Sequence, residues 1–202
     1  MIRAACAISL LAVCAFAQKE LPTGLYAVFT TSEGTITARL YEKDTPNSVR
    51  TFVGLATGTI PWLDPETHKM VKRPLYDNIT FHRIMPGVMI QSGDPTGKGT
   101  HNCGFTIRDE ILPGLRFDRG GMLAMANIGK PDSGGCQFFI TEGPMAQWNG
   151  TYTIFGMVVE GQNVVAKISH APSKDEKPLE PVKLLSVTID RRGPEPKAKK
   201  KK

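Results

Sequence analysis

Short apolar and β-branched runs, separated by turn-forming residues, recur along most of the chain. Residues 25–31 and 34–41 read LYAVFTT and GTITARLY, and the Ser-Glu-Gly turn between them predicts a β-hairpin. The same character predicts further strands nearer the C-terminus, at 80–85, 88–91, 122–126, 137–141, 153–159 and 182–190. The pattern therefore predicts about eight short strands.

Two segments have the spacing of a helix instead. In DTPNSVRTFVGLATG (44–58), Asp44 or Thr45 can cap the helix, Pro46 suits its first turn and Gly58 ends it. One face of this helix is apolar and consists of Val49, Phe52, Val53 and Ala56. A second, shorter helix is predicted at 163–169, whereas 59–78 and the Gly-rich 93–104 are predicted to be loops.

The order of these elements favours an all-antiparallel architecture. Helices rarely separate the predicted strands, so a barrel or sandwich is favoured over a parallel α/β sheet. The 202 residues suffice for one domain with a proper core, and 20 Gly and 15 Pro are typical of many short elements joined by turns. Nothing in the sequence demands more than a monomer.

The first 17 residues have the pattern of a secretory signal peptide. A positive start at Arg3 precedes a 14-residue apolar run, and Ala15-Phe16-Ala17 matches an A-x-A cleavage motif. We therefore expect an exported protein that is periplasmic or extracellular, and a bacterial source is favoured over a eukaryotic secretory pathway. A lipoprotein anchored at Cys14 is the alternative, and the bulky Val13 disfavours it.

The positive charge of the chain is concentrated at its C-terminal end. Of the 25 basic and 19 acidic residues, one basic residue precedes Gln18, and seven basic and one acidic residue lie from Arg191 onward, which leaves 17 basic and 18 acidic residues between. A body of net charge −1 gives no electrostatic support for nucleic-acid binding. Residues 191–202 are predicted to be a disordered basic tail, with attraction to an anionic surface as the alternative.

Two cysteines, Cys103 and Cys136, remain after the signal peptide. An even pair in an exported protein permits one disulfide. Two cysteines without clustered histidines make a poor zinc site, so no metal is predicted.

Residues 81–91, FHRIMPGVMIQ, place Arg83 inside an apolar strand. An isolated arginine at such a position usually extends to water or forms an ion pair. The surrounding motifs change that interpretation. FHRIMPGVMIQSGD, a Gly-rich loop, MLAMAN, GCQFFIT and YTIFG follow one another in the order and spacing of the cyclophilins, the cyclophilin-type peptidyl-prolyl cis-trans isomerases.

The resemblance extends from about Leu25 to Asp190, and 18–190 is therefore predicted to be one cyclophilin-type domain. It implies a mainly-β fold, a closed eight-stranded antiparallel barrel capped by two α-helices, with an active groove on the outer face. It also implies an isomerase of X-Pro peptide bonds in flexible or unfolded polypeptides that needs no cofactor, and in an exported protein a role in folding.

Residue by residue, the resemblance makes Arg83 the catalytic group. The positions that match substrate-binding groove residues are Val88, Met89, Gln91, Ala126, Asn127, Phe139, Trp148 and Tyr152. We expect the Gln91 amide to bond Arg83 or the peptide carbonyl. Cys103 and Cys136 fall in the two loops beside the far pocket of the groove, where a disulfide between them is a hypothesis.

Four groove positions depart from the pattern common in the family. Val88 replaces a usual Phe, Gln147 a Trp, Trp148 a Leu and Tyr152 a His. The change at Gln147 predicts weak binding of cyclosporin. A binding module without useful turnover is the competing interpretation, while a Cys136 nucleophile has no obvious base nearby in the sequence.

Overall fold

The computed structural model describes residues 21–194. The predicted signal peptide, and the tail beyond Pro194, lie outside the described residues. In chain order the elements are β1 Gly24–Thr31, β2 Gly34–Leu40, α1 Pro46–Thr57, β3 Trp62–Leu63, β4 Met70–Val71, β5 Ile79–Thr80, β6 Arg83–Met85, β7 Met89–Ser92, β8 Met122–Met125, β9 Phe138–Thr141, a 3-10 turn Ala146–Trp148, β10 Ile154–Glu160, α2 Gln162–Ser169, β11 Ser173–Lys174, β12 Lys177–Pro178 and β13 Lys183–Arg192.

Nine of these strands form one antiparallel sheet, in the order β5-β13-β1-β2-β10-β8-β9-β7-β6. The predicted mainly-β antiparallel architecture with two helices is therefore confirmed. The predicted loop 59–78 also contains a small hairpin, β3 with β4, in which Trp62 is buried. A second small hairpin consists of β11 and β12.

The closed eight-stranded barrel was a wrong prediction, because the sheet is open between β5 and β6. These two strands are the halves of the single strand predicted at 80–85. The first half pairs with β13 and the second with β7, and the chain changes partners at Phe81 and His82. A side chain of the neighbouring strand bridges part of this opening, since the Ser92 hydroxyl of β7 donates to the Thr80 carbonyl of β5 at 2.9 Å.

The inner face of the sheet packs around a cluster of aromatic rings. Phe52 of α1 lies with its ring centroid 5.1–5.8 Å from those of Phe29, Tyr76, Phe138 and Phe155. All five side chains are fully buried, as the apolar face predicted for this helix requires. The shorter helix α2 packs against β2 and β7. Neither α-helix, at 12 and 8 residues, has the length and apolar character needed to span a bilayer, and the one further helical segment in residues 21–194 is the 3-10 turn.

The start of α1 is stabilised from a distant part of the chain. Thr45 is the N-cap residue, but its side chain does not bond the helix; its hydroxyl donates to the Tyr41 carbonyl. The Glu110 carboxylate instead accepts from the backbone N–H groups of Asn47 and Ser48, at 3.0 and 2.8 Å. A carboxylate at this end also meets the positive end of the helix dipole. The cap predicted at Asp44 or Thr45 is thus supplied by the irregular segment before β8.

The folded domain extends two residues past its predicted end at Asp190. Strand β13 continues through Arg191 and Arg192, which pair with Leu25 and Gly24 of β1. Arg191 also donates two hydrogen bonds to Glu42, at 2.8 and 2.7 Å. These two arginines therefore belong to the sheet and not to the tail, because strand pairing and a bidentate ion pair hold them.

Candidate active site

Strand alternation divides β7, β8 and β9 between two separate apolar clusters. Ile90, Leu123 and Ile140 point inward and belong to the main core. Their neighbours Met89, Ala124 and Phe139 point to the opposite face, since successive strand residues alternate sides. The outward residues form a second cluster, which we call the groove cluster; its buried members are Met89, Phe117, Met122, Ala124, Phe139 and Ile154.

Strand register sets four residues in one row across this outer face. Arg83 of β6 is opposite Gln91 of β7, Gln91 is opposite Phe139 of β9, and Phe139 is opposite Ala124 of β8. Directly paired residues project to the same side of a sheet, and neighbouring strands lie about 4.8 Å apart. Arg83 is therefore about 10 Å along the row from Phe139, with Gln91 between them.

An aromatic wall surrounds Phe139. Its ring meets Trp148 at 5.3 Å and Tyr152 at 5.1 Å in edge-to-face geometry, and stacks on Phe117 at 5.9 Å. Phe139 and Met89 are almost fully buried, and the partly exposed Val88 and Ala126 pack against the same cluster. The result is an apolar slot with an aromatic rim. Phe117 was not predicted, because it lies in an irregular segment with no periodic pattern.

The guanidinium of Arg83 is at the open end of the row. Its side chain is 45% exposed, and its Nε donates to the Glu176 carboxylate at 2.5 Å. Of the two bonds expected of the Gln91 amide, the one to Arg83 is not formed, and the one to the peptide carbonyl stays a prediction. The Gln91 amide donates instead to the side-chain oxygen of Gln137, at 2.9 Å. Glu176 and Gln137 are thus two site residues that the sequence analysis missed.

Gln137 connects this row to the Gly-rich loop. Its Nε2 donates to the carbonyl oxygens of Gly99 and His101, at 3.2 and 3.0 Å. A disulfide joins Cys103, in the same loop, to Cys136. The loop begins at Gly93, where the close approach of the chain requires glycine: φ is +96°, and a Cβ would lie 2.4 Å from the Cys136 carbonyl oxygen. The loop is therefore held against Cys136 and Gln137, the two residues that precede β9.

Between this loop and the segment after β8 lies a cavity of about 350 Å³, lined by Gln91, Ala126, Asn127 and Gln137 among others. The Asn127 side chain is occupied on both sides, since it donates to the Thr151 carbonyl and accepts from the Gly129 N–H. Its backbone N–H and carbonyl have no hydrogen-bond partner within residues 21–194. The main chain of Asn127 is therefore available to an extended ligand in this cavity.

His82, next to Arg83, is a buried neutral group. It is 8% exposed, and neither ring nitrogen has a hydrogen-bond partner in the part of the chain that the structure describes. Burial lowers the pKa of His82, and the nearby Asp94 carboxylate only partly opposes this effect. The imidazole is therefore a buried residue at the edge of the core, and it is neutral near pH 7.

A pH dependence of stability follows from the lowered pKa of His82. Below the pKa of about 6.5 that histidine has in an unfolded chain, His82 is protonated in the unfolded protein but still neutral in the folded protein. The free energy of unfolding should therefore fall as the pH drops from 7 toward 5, by up to about 1.4 kcal/mol per pH unit. Urea unfolding measured across this range checks the prediction, with His82→Leu as the non-titrating control. A variant with the same slope as the wild type would contradict it.

Comparison with known proteins agrees with this geometry. Residues 26–189 match the family described as cyclophilin type peptidyl-prolyl cis-trans isomerase/CLD. The chain is 44% identical over 172 residues to peptidyl-prolyl cis-trans isomerase B of Streptomyces anulatus, covering 83% of this chain and 98% of the relative. It is 41% identical over 182 residues to a probable peptidyl-prolyl cis-trans isomerase A of Mycobacterium leprae, covering 89% and 100%.

Solved structures support the same assignment. A cyclophilin type peptidyl-prolyl cis-trans isomerase from Cryptosporidium parvum, crystallised in the presence of the dipeptide Ala-Pro, superposes with a TM-score of 0.71. It is 30% identical to this chain, and the match covers 83% of this chain and 99% of that one. The chain therefore belongs to the cyclophilin-type peptidyl-prolyl cis-trans isomerase family.

Proposed function

We propose that the groove accelerates rotation about X-Pro bonds in flexible segments of exported proteins, with Arg83 as the catalytic group. One observation carries the proposal: strand register aligns a half-exposed guanidinium with an apolar slot on the same face of the sheet. The ion pair with Glu176 does not bury that guanidinium or remove it from the row.

The chemistry requires a fixed donor and little else. The X-Pro amide resists rotation because the nitrogen lone pair is delocalised into the carbonyl, with a barrier of about 18–20 kcal/mol. Twisting localises the lone pair on the prolyl nitrogen, which can then accept a hydrogen bond. A guanidinium always carries donors at working pH, so Arg83 can stabilise the twisted state selectively. No nucleophile or proton transfer is needed.

The other groove residues hold one side of the bond while the other turns. We propose that the proline ring occupies the slot between Met89 and Phe139, with Val88, Ala126, Trp148 and Tyr152 around it. The free backbone groups of Asn127 suit an extended peptide. Gln91, held by Gln137, keeps its side-chain oxygen available for a substrate N–H. The Ala-Pro dipeptide used with the Cryptosporidium relative supports a proline-containing ligand.

The location is part of the same proposal. The signal-peptide pattern in residues 1–17 supports export, and a covalent Cys103–Cys136 bond persists in oxidising compartments. Substrates there are polypeptides that fold after crossing a membrane. Mass spectrometry of the mature protein under non-reducing conditions tests both points; an uncleaved N-terminus or two free thiols would contradict them.

A pure binding module is the second candidate, and the Arg83–Glu176 ion pair is the observation that favours it, since it occupies one donor of the guanidinium. Exchange NMR on a short X-Pro peptide, comparing the wild type with Arg83→Ala, separates the two. Faster cis-trans exchange that depends on Arg83 supports the isomerase, and equal rates for both proteins support the binding module.

We expect cyclosporin to inhibit the enzyme only weakly. Gln147 is exposed at the groove rim and bonds the Met145 sulfur, so it offers no indole surface to the drug. Trp148, one residue later, is packed against Phe139. Titration of the isomerase activity with cyclosporin checks this, with Gln147→Trp as the variant expected to increase the affinity. Nanomolar inhibition of the wild type would show the assignment of Gln147 to be wrong.

A further inference from the structure

We infer that Glu176 is a positioning residue that aims the Arg83 guanidinium into the groove. The inference rests on the proposed function and adds a residue to it. Arg83 Nε donates to Glu176 Oε2 at 2.5 Å, and this is the sole protein hydrogen bond of the guanidinium within residues 21–194. Arginine has five N–H donors in a planar fork, so fixing Nε orients the two terminal nitrogens and leaves them free.

Glu176 is itself held against the strand that carries Arg83. Its carbonyl accepts from the Ile84 N–H at 2.8 Å, so its main chain contacts β6 at the residue beside Arg83. Glu176 thus contacts two successive residues of the strand, one through its carbonyl and one through its carboxylate. Glu176 lies in the turn of the β11–β12 hairpin, which packs against β6, so this hairpin sets the position of the carboxylate.

The backbone of Glu176 has a conformation that glutamate disfavours. Asp175 and Glu176 are the central residues of the β11–β12 turn, with φ of +52° and +62°. A two-residue hairpin with positive φ at both positions favours Asn-Gly or Asp-Gly. Glutamate at the second position is strained relative to glycine, and such strain is found at functional sites. We therefore infer that the contact of the Glu176 carboxylate with Arg83 offsets the backbone strain that glycine at this position would avoid.

A contribution to folding stability does not account for the Arg83–Glu176 ion pair. The two side chains of the ion pair are 45% and 44% exposed, and pairs with this exposure contribute little to folding because water and salt screen them. Orientation is different, since donation to the twisted imide needs the fork in one place. A cavity of about 350 Å³ beside the pair, lined by Arg83, Gln91, Asp175 and Glu176 among others, leaves the guanidinium room for other rotamers.

The neighbouring Asp175 provides a matched control. It lines the same cavity, has the same charge and a similar positive φ, and its side chain has no hydrogen-bond or ion-pair partner in the described part of the chain. A general effect of negative charge near Arg83 would be shared by both carboxylates. A positioning effect belongs to Glu176 only.

The test measures kcat and KM for an X-Pro peptide by exchange NMR. Glu176→Ala should lower kcat about tenfold and change KM less than twofold, because the donor is needed only in the twisted state. Glu176→Gln should stay within about threefold of the wild type, since its amide oxygen still accepts from Nε. Asp175→Ala should leave kcat unchanged.

Glu176→Gly separates positioning from folding. Glycine relieves the turn, so the thermal midpoint should equal or exceed that of Glu176→Ala while kcat stays about tenfold low. In the Arg83→Ala background, removal of Glu176 should have no further effect on kcat. An additional loss there, or a wild-type kcat in both Glu176→Ala and Glu176→Gly, overturns the inference. If Arg83→Ala retains full activity, the proposed function fails, and the inference fails with it.

Discussion

Replacement of Arg83 by alanine should lower kcat/KM for an X-Pro peptide by a factor of roughly 30 to 900. This factor corresponds to a loss of about 2–4 kcal/mol of transition-state stabilisation. The estimate is that of removing one preorganised donor from a transition state. Because the donation exists only when the imide is twisted, kcat should carry the loss and KM should change little. Arg83 is half-exposed, so its removal should leave the fold intact.

Arg83→Lys is the matched control for this prediction. Lysine keeps the positive charge but has a single ammonium group instead of a planar fork. It cannot bond Glu176 through one nitrogen and present other nitrogens to the groove, as arginine can. We expect it to recover less than a tenth of the wild-type kcat. Full activity in Arg83→Lys would show that charge alone suffices and would contradict the role given to the guanidinium.

Loss of the Cys103–Cys136 disulfide should have the largest effect on stability. The bond closes a loop with a sequence separation of 33 residues, and the chain-entropy account of cross-linking gives about 3–4 kcal/mol for such a loop. The double variant Cys103→Ala, Cys136→Ala should therefore unfold at a clearly lower urea concentration than the oxidised wild type.

A reductant provides the control for that prediction. Reduction should lower the unfolding midpoint of the wild type to near that of the double variant, and the double variant itself should not respond. Activity should fall less than in Arg83→Ala, because Arg83 lies on β6 and its guanidinium is hydrogen-bonded to Glu176 of the β11–β12 turn. A wild-type midpoint that reduction leaves unchanged, with thiol release demonstrated, would contradict the prediction.

The disulfide and Gln137 act on the same loop. Cys136 is bonded to Cys103, and the next residue, Gln137, bonds Gln91 and two carbonyls of the loop. The row and the loop are therefore linked through two adjacent residues that immediately precede β9. Because we propose that the peptide binds in the cavity beside this loop, we expect reduction to weaken peptide binding more than the catalytic step.

Local pattern was sufficient for most of the elements. Short apolar and β-branched runs predicted β7–β10, the helical face of Val49 and Phe52 predicted α1, and glycine at 58 ended it with a positive φ of 72°. These features depend on neighbours within a few residues, so the local sequence is enough to specify them. The motifs around Arg83 and Phe139 likewise indicated the family.

Other features depended on which distant segments meet. Glu176 is 93 residues from Arg83, and Gln137 is 46 from Gln91. Glu110 reaches the start of α1 across 62 residues, and the strand at 80–85 divides because its halves have different partners. Periodicity states which face of a strand is apolar and does not state which strand lies beside it. The sequence was therefore enough to single out Arg83, for which we propose the catalytic role, whereas its partner Glu176 became visible only once the distant segments were brought together.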